Sequence, residues 1–321
     1  MHTESVESKI IEEFNRVVDR NSNLSILGNF KFAEIICQIH SPFPEWQDSL
    51  EGKPTPDLQI FAKRFQRLKC FLTAEDPHLL ARVFSNSRVQ ELVISAWESL
   101  PPTSPGREMK LFWRDDCCYV VHKNSLSRFK MTKAEMDILV VGKQSIAHVD
   151  IATRFAISVL LAKKGGFILH SSGMVHSGKA LLFFGVSGSG KSTITQVSQP
   201  DVILSDEAVI VLKKDGKWLA YGTPFYGTLA YVGENIAVEL AALIKISKAP
   251  FYNLQKLPRQ RALRELLKAV IILDDSLEQK EKNLSNALNV LKDVPSHELE
   301  FLPEPEVWQF VLKELNHLWK G

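Results

Sequence analysis

The amino-acid sequence predicts an α/β fold in two parts, a smaller β-rich α+β domain over residues 1–145 and a catalytic-type α/β domain over 146–321. Three observations carry this expectation. The apolar run ALLFF (180–184) leads into GVSGSGKST (185–193) and then into the helix-compatible KSTITQVSQ, which is strand, loop and helix in that order. Two more apolar runs, FILHSSGMV (167–175) and VILSDEAVIV (202–211), flank it at strand-like length. Ahead of these, from Asn29 to about Val121, the signals are short, strand-like and broken by prolines.

The elements follow in order. Ile10, Ile11, Phe14, Val17 and Val18 recur at helical spacing, so Ser8–Val18 is expected to be an amphipathic helix. KFAEIICQI reads as one strand, which the prolines of HSPFPEW end; further proline-rich segments lie at Lys53–Asp57 and Pro101–Gly106. WRDDCCYVVHK suggests a hairpin. Ile146–Leu161 has helical periodicity, with LAKKGG as its basic last turn and glycine stop. FILHSSGMV is expected as one strand, HSGK as a tight turn and ALLFF as the next strand; after the acidic junction of VILSDEAVIV, a second hairpin turns at Asp215-Gly216. Helices are expected around Ile236–Ile246, Arg259–Ile272, Leu284–Leu291 and Glu306–Leu318, and the domain boundary near residues 140–150.

Composition narrows the class. With 45% apolar and 24% charged residues over 321 positions, the chain has the make-up of an ordinary globular protein large enough for two cores. A formal charge of +2 makes no global electrostatic case for nucleic acid or a membrane surface. No apolar run approaches the roughly 18 residues that cross a bilayer, and MHTESVESKIIEEF lacks the apolar core of a signal peptide. Cys37, Cys70, Cys117 and Cys118 show neither metal-ligand spacing nor a disulfide framework, and the nine histidines form no HxxxH or HExxH pattern. The expectation is a cytoplasmic protein with reduced thiols.

Gly185, Gly190, Lys191 and Ser192 satisfy GxxxxGK[ST]. Glycines let the backbone of Gly185, Val186, Ser187, Gly188, Ser189 and Gly190 fold round an anion with its N–H groups inward. Lys191 would reach the terminal phosphates, Ser192 would ligate Mg²⁺, and Thr193 continues the first helical turn, where the helix terminus adds partial positive charge. The expected ligands are a nucleoside triphosphate, ATP, and Mg²⁺. Such sites also need a carboxylate on a nearby strand, and Asp206 and Glu207 lie about fifteen residues beyond Ser192 inside an otherwise apolar run. Two adjacent carboxylates there are costly unless a cation or substrate uses them.

LHSSGMVHSGKALLFFGVSGSGKST, followed by LSDEAVIV and YGTPFYG, resembles the HPr kinase/phosphorylase-like family, whose fold is related to phosphoenolpyruvate carboxykinase. His170 precedes Gly185 by fifteen positions, the family's spacing between its histidine and first loop glycine, and Asp206-Glu207 stands at the family's Asp-Asp pair. The resemblance runs from about residue 110 to 321, through PSHELEFLPEPEVW, and is strongest over 165–230. It implies a kinase that passes the γ-phosphate to a serine-type hydroxyl of a peptide, protein or small molecule. Ser192 and Glu207 would hold Mg²⁺ and Asp206 would take the acceptor's proton, with His170 hydrogen-bonded to Asp206; the two carboxylates can exchange these roles. A glutamate replaces the second aspartate and no EIRGxG-type signature follows, which points to the divergent relatives more than to kinases of HPr itself. A bifunctional kinase/phosphorylase and a non-catalytic nucleotide-binding regulator are the alternatives. No NKxD or LSGGQ-like motif supports a switch GTPase or an ABC-type ATPase. Thr223 is a candidate for the acceptor pocket, while Arg259, Arg261 and Arg264 read better as a solvated face than as a phosphoryl clamp. Family members are often oligomers, so the resemblance also admits a homo-oligomer, with the N-terminal half in recognition or assembly.

Overall fold

The computed structural model describes residues 5–19, 24–55, 58, 72–101, 109–142, 144, 146–198, 200–225, 227, 229, 233–272 and 276–316. The protein is mixed α/β with two sheets, and its chain divides into two units, Met1–Ile157 and Ser158–Gly321. Pro56 and Asp57 of the first proline-rich segment, most of the second, Cys70 and the end of the expected last helix lie outside the described residues.

In the first unit, α1 (Val6–Asp19) is the expected amphipathic helix, burying Ile10, Phe14, Val17 and Val18. β1 (Ser25–Phe32) and β2 (Ile35–Ser41) form a hairpin, so KFAEIICQI is not one strand. The chain reverses at Ala33, whose φ of 55° gives a left-handed corner without a glycine to signal it. Pro44 opens α2 (Pro44–Leu50), a position where its missing N–H costs nothing. β3 (Leu79–Phe84) is followed by α3 (Ser87–Ser99), capped by the Asn86 side chain, which accepts from Val89 N at 2.9 Å. β4 (Met109–Arg114) and β5 (Cys117–His122) form the hairpin expected of WRDDCCYVVHK, and β6 (Ser125–Lys130) and β7 (Glu135–Val140) complete an antiparallel meander.

The seven strands lie in the order β1-β2-β3-β7-β6-β5-β4, with β3 parallel to both neighbours. Phe14 and Val17 of α1 meet Val89, Val93 and Ala96 of α3 over Tyr119, Val121, Leu126 and Leu139 of the sheet in one buried cluster. Buried Asp137 on β7 accepts from Arg82 at 2.7 Å and from Arg128 at 2.5 Å. Burial pushes the Cys37 thiol up, and no disulfide joins the described cysteines.

Helix α4 (Ile146–Lys163) contains the division between the units and stops at Gly165, φ 85°. In the second unit FILHSSGMV is two strands, β8 (Phe167–Leu169) and β9 (Ser171–His176). β9 continues through the turn at Ser177-Gly178 into β10 (Lys179–Phe184). After α5 (Lys191–Val197) come β11 (Val202–Ser205), β12 (Val209–Lys214) and β13 (Lys217–Tyr221), the last two joined at Asp215-Gly216 as expected. Positive φ at both residues of each turn (48° and 71°, 50° and 80°) matches the twist of a two-residue hairpin.

The expected helix at Ile236–Ile246 is instead β14 (Ala237–Lys248). Ala, Glu and Leu favour a helix locally, but this segment is central. It runs parallel to β10 on one side, and pairs first with β13 and then with β16 (Ser296–Phe301) on the other. β15 (Asn253–Lys256) pairs with β16, and the remaining strands follow the order β11-β9-β10-β14-β13-β12-β8. Helices α6 (Arg259–Ala269) and α7 (Leu277–Asp293) bury Leu266, Ala287 and Val290 with Leu182, Leu240 and Leu243 of the sheet. Residues of α5 and α8 (Glu306–Glu314), including Ile194, Trp308 and Val311, pack with Phe183, Ala242, Ile244 and Ile246. Residues of β14 thus serve two cores. Among the described residues no helix is long and apolar enough to cross a membrane.

Candidate functional site

Loop 185–190 joins β10 to α5. Gly188 and Gly190 have φ of 81° and 105°, which L-residues with a side chain rarely adopt. Gly185 and Gly190 are required by space as well. A Cβ on Gly185 would stand 3.0 Å from Ile246 O, and one on Gly190 would stand 2.8 Å from Phe301 Cζ. Val186, Ser187 and Gly188 form the exposed rim, and Ser189 is buried, its Oγ without a hydrogen-bond partner among the described residues.

Lys191 folds back over the loop, donating from Nζ to Gly185 O at 2.9 Å and to Val186 O at 3.4 Å. Burial lowers its pKa below the ordinary lysine value, and the charge of Glu207 partly opposes that shift. Its carbonyl is held by Ser172 Oγ at 3.0 Å and Thr195 Oγ1 at 2.9 Å, which ties the start of α5 to β9. Ser192 and Thr193 lie half-buried in the first turn of α5.

The sheet brings the other candidates to the same end. β9 is antiparallel to β10 with Ser171 opposite Phe184, so His170 stands at the root of the loop. β11 is antiparallel to β9 with Ser205 opposite Gly173, and the chain then runs on to Asp206 and Glu207. His170 is where the chain changes partners: its N–H donates to Ala269 O at 2.8 Å, while Ser171 N donates to Glu207 O at 3.2 Å. That switch, from pairing with β12 to pairing with β10 and β11, is why one apolar run becomes two strands.

Ser205 bends the acidic corner, its Oγ accepting from Glu207 N at 3.2 Å and Ala208 N at 3.1 Å. The bend gives the two carboxylates different surroundings. Asp206 is 3% exposed, and its Oδ2 accepts from Leu229 N at 2.8 Å. Glu207 is more open and sets Oε1 3.7 Å from His170 Nδ1. The imidazole therefore faces the acidic corner and reaches its second carboxylate.

Thr223 is buried, and its hydroxyl donates to Ala208 O at 2.5 Å, which ties the chain after β13 to the corner. Arg259 donates to Leu288 O on α7, Arg261 pairs with Glu298 of β16 at 2.8 Å and Arg264 pairs with Glu265 on its own helix at 3.1 Å. Sequence reasoning missed Gly227 and Gly233. A Cβ on Gly227 would come within 2.8 Å of the Asp206 carboxylate, and one on Gly233 within 2.1 Å of Leu204 O. The recurrence of glycine after LSDEAVIV was the available signal.

Among the described residues no group of three or more His, Cys, Asp or Glu side chains could hold a metal unaided. A hard cation shared by a hydroxyl, one carboxylate and phosphate oxygens needs no such group. The groove between α1 and α3 in the first unit is lined by charges of both signs, among them Lys9, Glu13, Arg16 and Glu91, and holds none of the candidate residues. No protein-family model matches the chain, and no curated protein matches it.

Proposed function

We propose that the protein is an ATP- and Mg²⁺-dependent kinase that transfers the γ-phosphate to a serine-type hydroxyl of a peptide, protein or small molecule, on a fold of the HPr kinase type. The observation that carries this reading is the meeting of three things at one end of one sheet. They are a loop whose glycines are required by φ and by space, an acidic corner, and a histidine facing that corner.

The loop suits a polyphosphate, since a side chain at Gly185 or Gly190 would collide with its walls. In this reading Lys191 exchanges Gly185 O and Val186 O for phosphate oxygens, and the backbone N–H groups of 186–191 hold the chain of phosphates. Ser192 and Glu207 hold Mg²⁺, which supplies neutralisation of the charge that develops in phosphoryl transfer. Glu207 is the better placed of the two carboxylates for this, because its charge already acts on Lys191. Asp206 accepts the proton of the acceptor hydroxyl as that oxygen bonds to the γ-phosphorus and ADP leaves. His170 orients Glu207, and so the metal side of the site. The first unit is assigned to recognition or assembly.

The test is incubation of the full chain with γ-labelled ATP, Mg²⁺, serine-bearing peptides and free serine. Label is expected on a hydroxyl with the wild type and none with Lys191→Ala. Equal labelling or equal ATP turnover in that variant would sink the assignment.

A further inference from the structure

In the strand order β10 lies between β9, which leads to the acidic corner by way of β11, and β14 on the opposite side. The parallel pairing of β14 with β10 sets Lys245 beside Phe184, so the last residues of β14 project past the strand at the root of the loop. The last is Lys248, paired with Phe301 of β16 and exposed. Its Cε lies 3.2 Å from where a Cβ on Gly190 would stand, beside the Phe301 ring at 2.8 Å. The lysine stem and the phenylalanine ring therefore form one wall of the loop, and the ammonium sits one bond beyond that wall.

The other lysines of this sheet end are engaged. Lys245 pairs with buried Glu298 at 2.7 Å, and Lys191 is held by Gly185 O. Among the described residues no hydrogen bond or ion pair holds the ammonium of Lys248. A long side chain that packs by its stem and leaves its charge in solvent is ordinary. Here, however, the charge stands beside a glycine of the phosphate loop. We infer that Lys248 is a second cation on the polyphosphate of the bound nucleotide, reaching it from the side of the loop opposite Asp206 and Glu207. The inference rests on the phosphate-loop reading above and adds to it a contact that the motif does not contain.

The experiment is calorimetric titration of the full chain with MgATP and, separately, with inorganic tripolyphosphate. Lys248→Met keeps the stem and removes the charge, and Lys248→Arg restores a cation. For Lys248→Met we expect about tenfold weaker binding of both ligands, the scale of one charge-assisted hydrogen bond. Recovery is expected in Lys248→Arg, with no change in the ligand-free unfolding midpoint of either variant. Unchanged affinity of Lys248→Met for both ligands overturns the inference while leaving the loop assignment standing, provided Lys191→Ala loses binding. A loss confined to MgATP would move the contact to the nucleoside and overturn the polyphosphate assignment. A wild type that binds neither ligand overturns the loop reading and this inference together.

Discussion

Glu207 Oε1 stands 3.7 Å from His170 Nδ1, across the point where the chain leaves β8 for β9. Because the His170 N–H is anchored to Ala269 O and Ser171 N to Glu207 O, the backbones on both sides of this contact are fixed. Removing the imidazole should misdirect the carboxylate without disturbing the loop. His170→Ala is expected to bind MgATP about as the wild type does and to transfer phosphate on the order of tenfold to a hundredfold more slowly. Its requirement for Mg²⁺ should rise as well. Calorimetry and single-turnover labelling over a Mg²⁺ series check this; full transfer with unchanged Mg²⁺ dependence would remove His170 from the site.

Gly190 and Gly188 offer a paired test of the loop. Both have positive φ, but a Cβ meets Phe301 at Gly190 and nothing within 4 Å at Gly188. Gly188→Ala should lower stability by about 1 kcal/mol, the cost of the left-handed conformation alone. Gly190→Ala should cost more and abolish MgATP binding. Unfolding midpoints and titrations of the two variants side by side measure the difference.

Gly227 lies against the Asp206 carboxylate, where a methyl group would approach to 2.8 Å. Gly227→Ala should push Asp206 out of its hydrogen bond with Leu229 N. The expected result is retained nucleotide binding with transfer lowered at least tenfold, on the order of what a small misplacement of a reacting group costs. Unimpaired transfer would show that the seat of Asp206 has no part in the reaction.

Burial lowers the pKa of Lys191 from the ordinary lysine value of 10.5. Phosphate oxygens favour the ammonium and would raise that pKa again. Binding should therefore take up protons at alkaline pH, and affinity should fall as pH rises through the depressed pKa of the free protein. Titrations in buffers of different ionisation enthalpy would reveal the uptake, which Lys191→Met should abolish along with binding.

In the first unit, Asp137 is 2% exposed and accepts from both Arg82 and Arg128. Asp137→Ala leaves two guanidinium groups without their carboxylate. Removing one partner of a fully buried pair costs about 3–5 kcal/mol, and the partial exposure of the arginines brings the expected loss to about 2–3 kcal/mol. Urea unfolding followed by the fluorescence of tryptophan in this unit measures it.

Much of the fold was legible from local pattern. α1 has a clear apolar face, α4 ends at a glycine stop, and Asp215-Gly216 is a turn that announces itself. The misread elements depend on contacts that local pattern does not carry. KFAEIICQI and FILHSSGMV look continuous because apolar residues fill both sides of a break; the first breaks at a hairpin turn through Ala33 that no glycine marks, and the second where its partner strand changes. β14 was misread because alanine, leucine and glutamate favour a helix, whereas its pairing on both edges comes from strands distant in sequence. At the site, loop, acidic pair and histidine were all legible. The pairing of His170 with Glu207 was not, since it follows from a bend that Ser205 makes through its side chain.

The misreading of β14 carries a consequence for how the second unit forms. Its segment AVELAALIKI gains nothing as a strand until β10, β13 and β16 are already in reach, and the nearest of these in contact, β13, satisfies only its first residues. Early in folding the local preference is unopposed, so a peptide of residues 236–248 should be partly helical in trifluoroethanol. Lys248 therefore reaches the loop on a strand whose three partners come from separate stretches of the chain, so its position depends on pairings far from it in sequence.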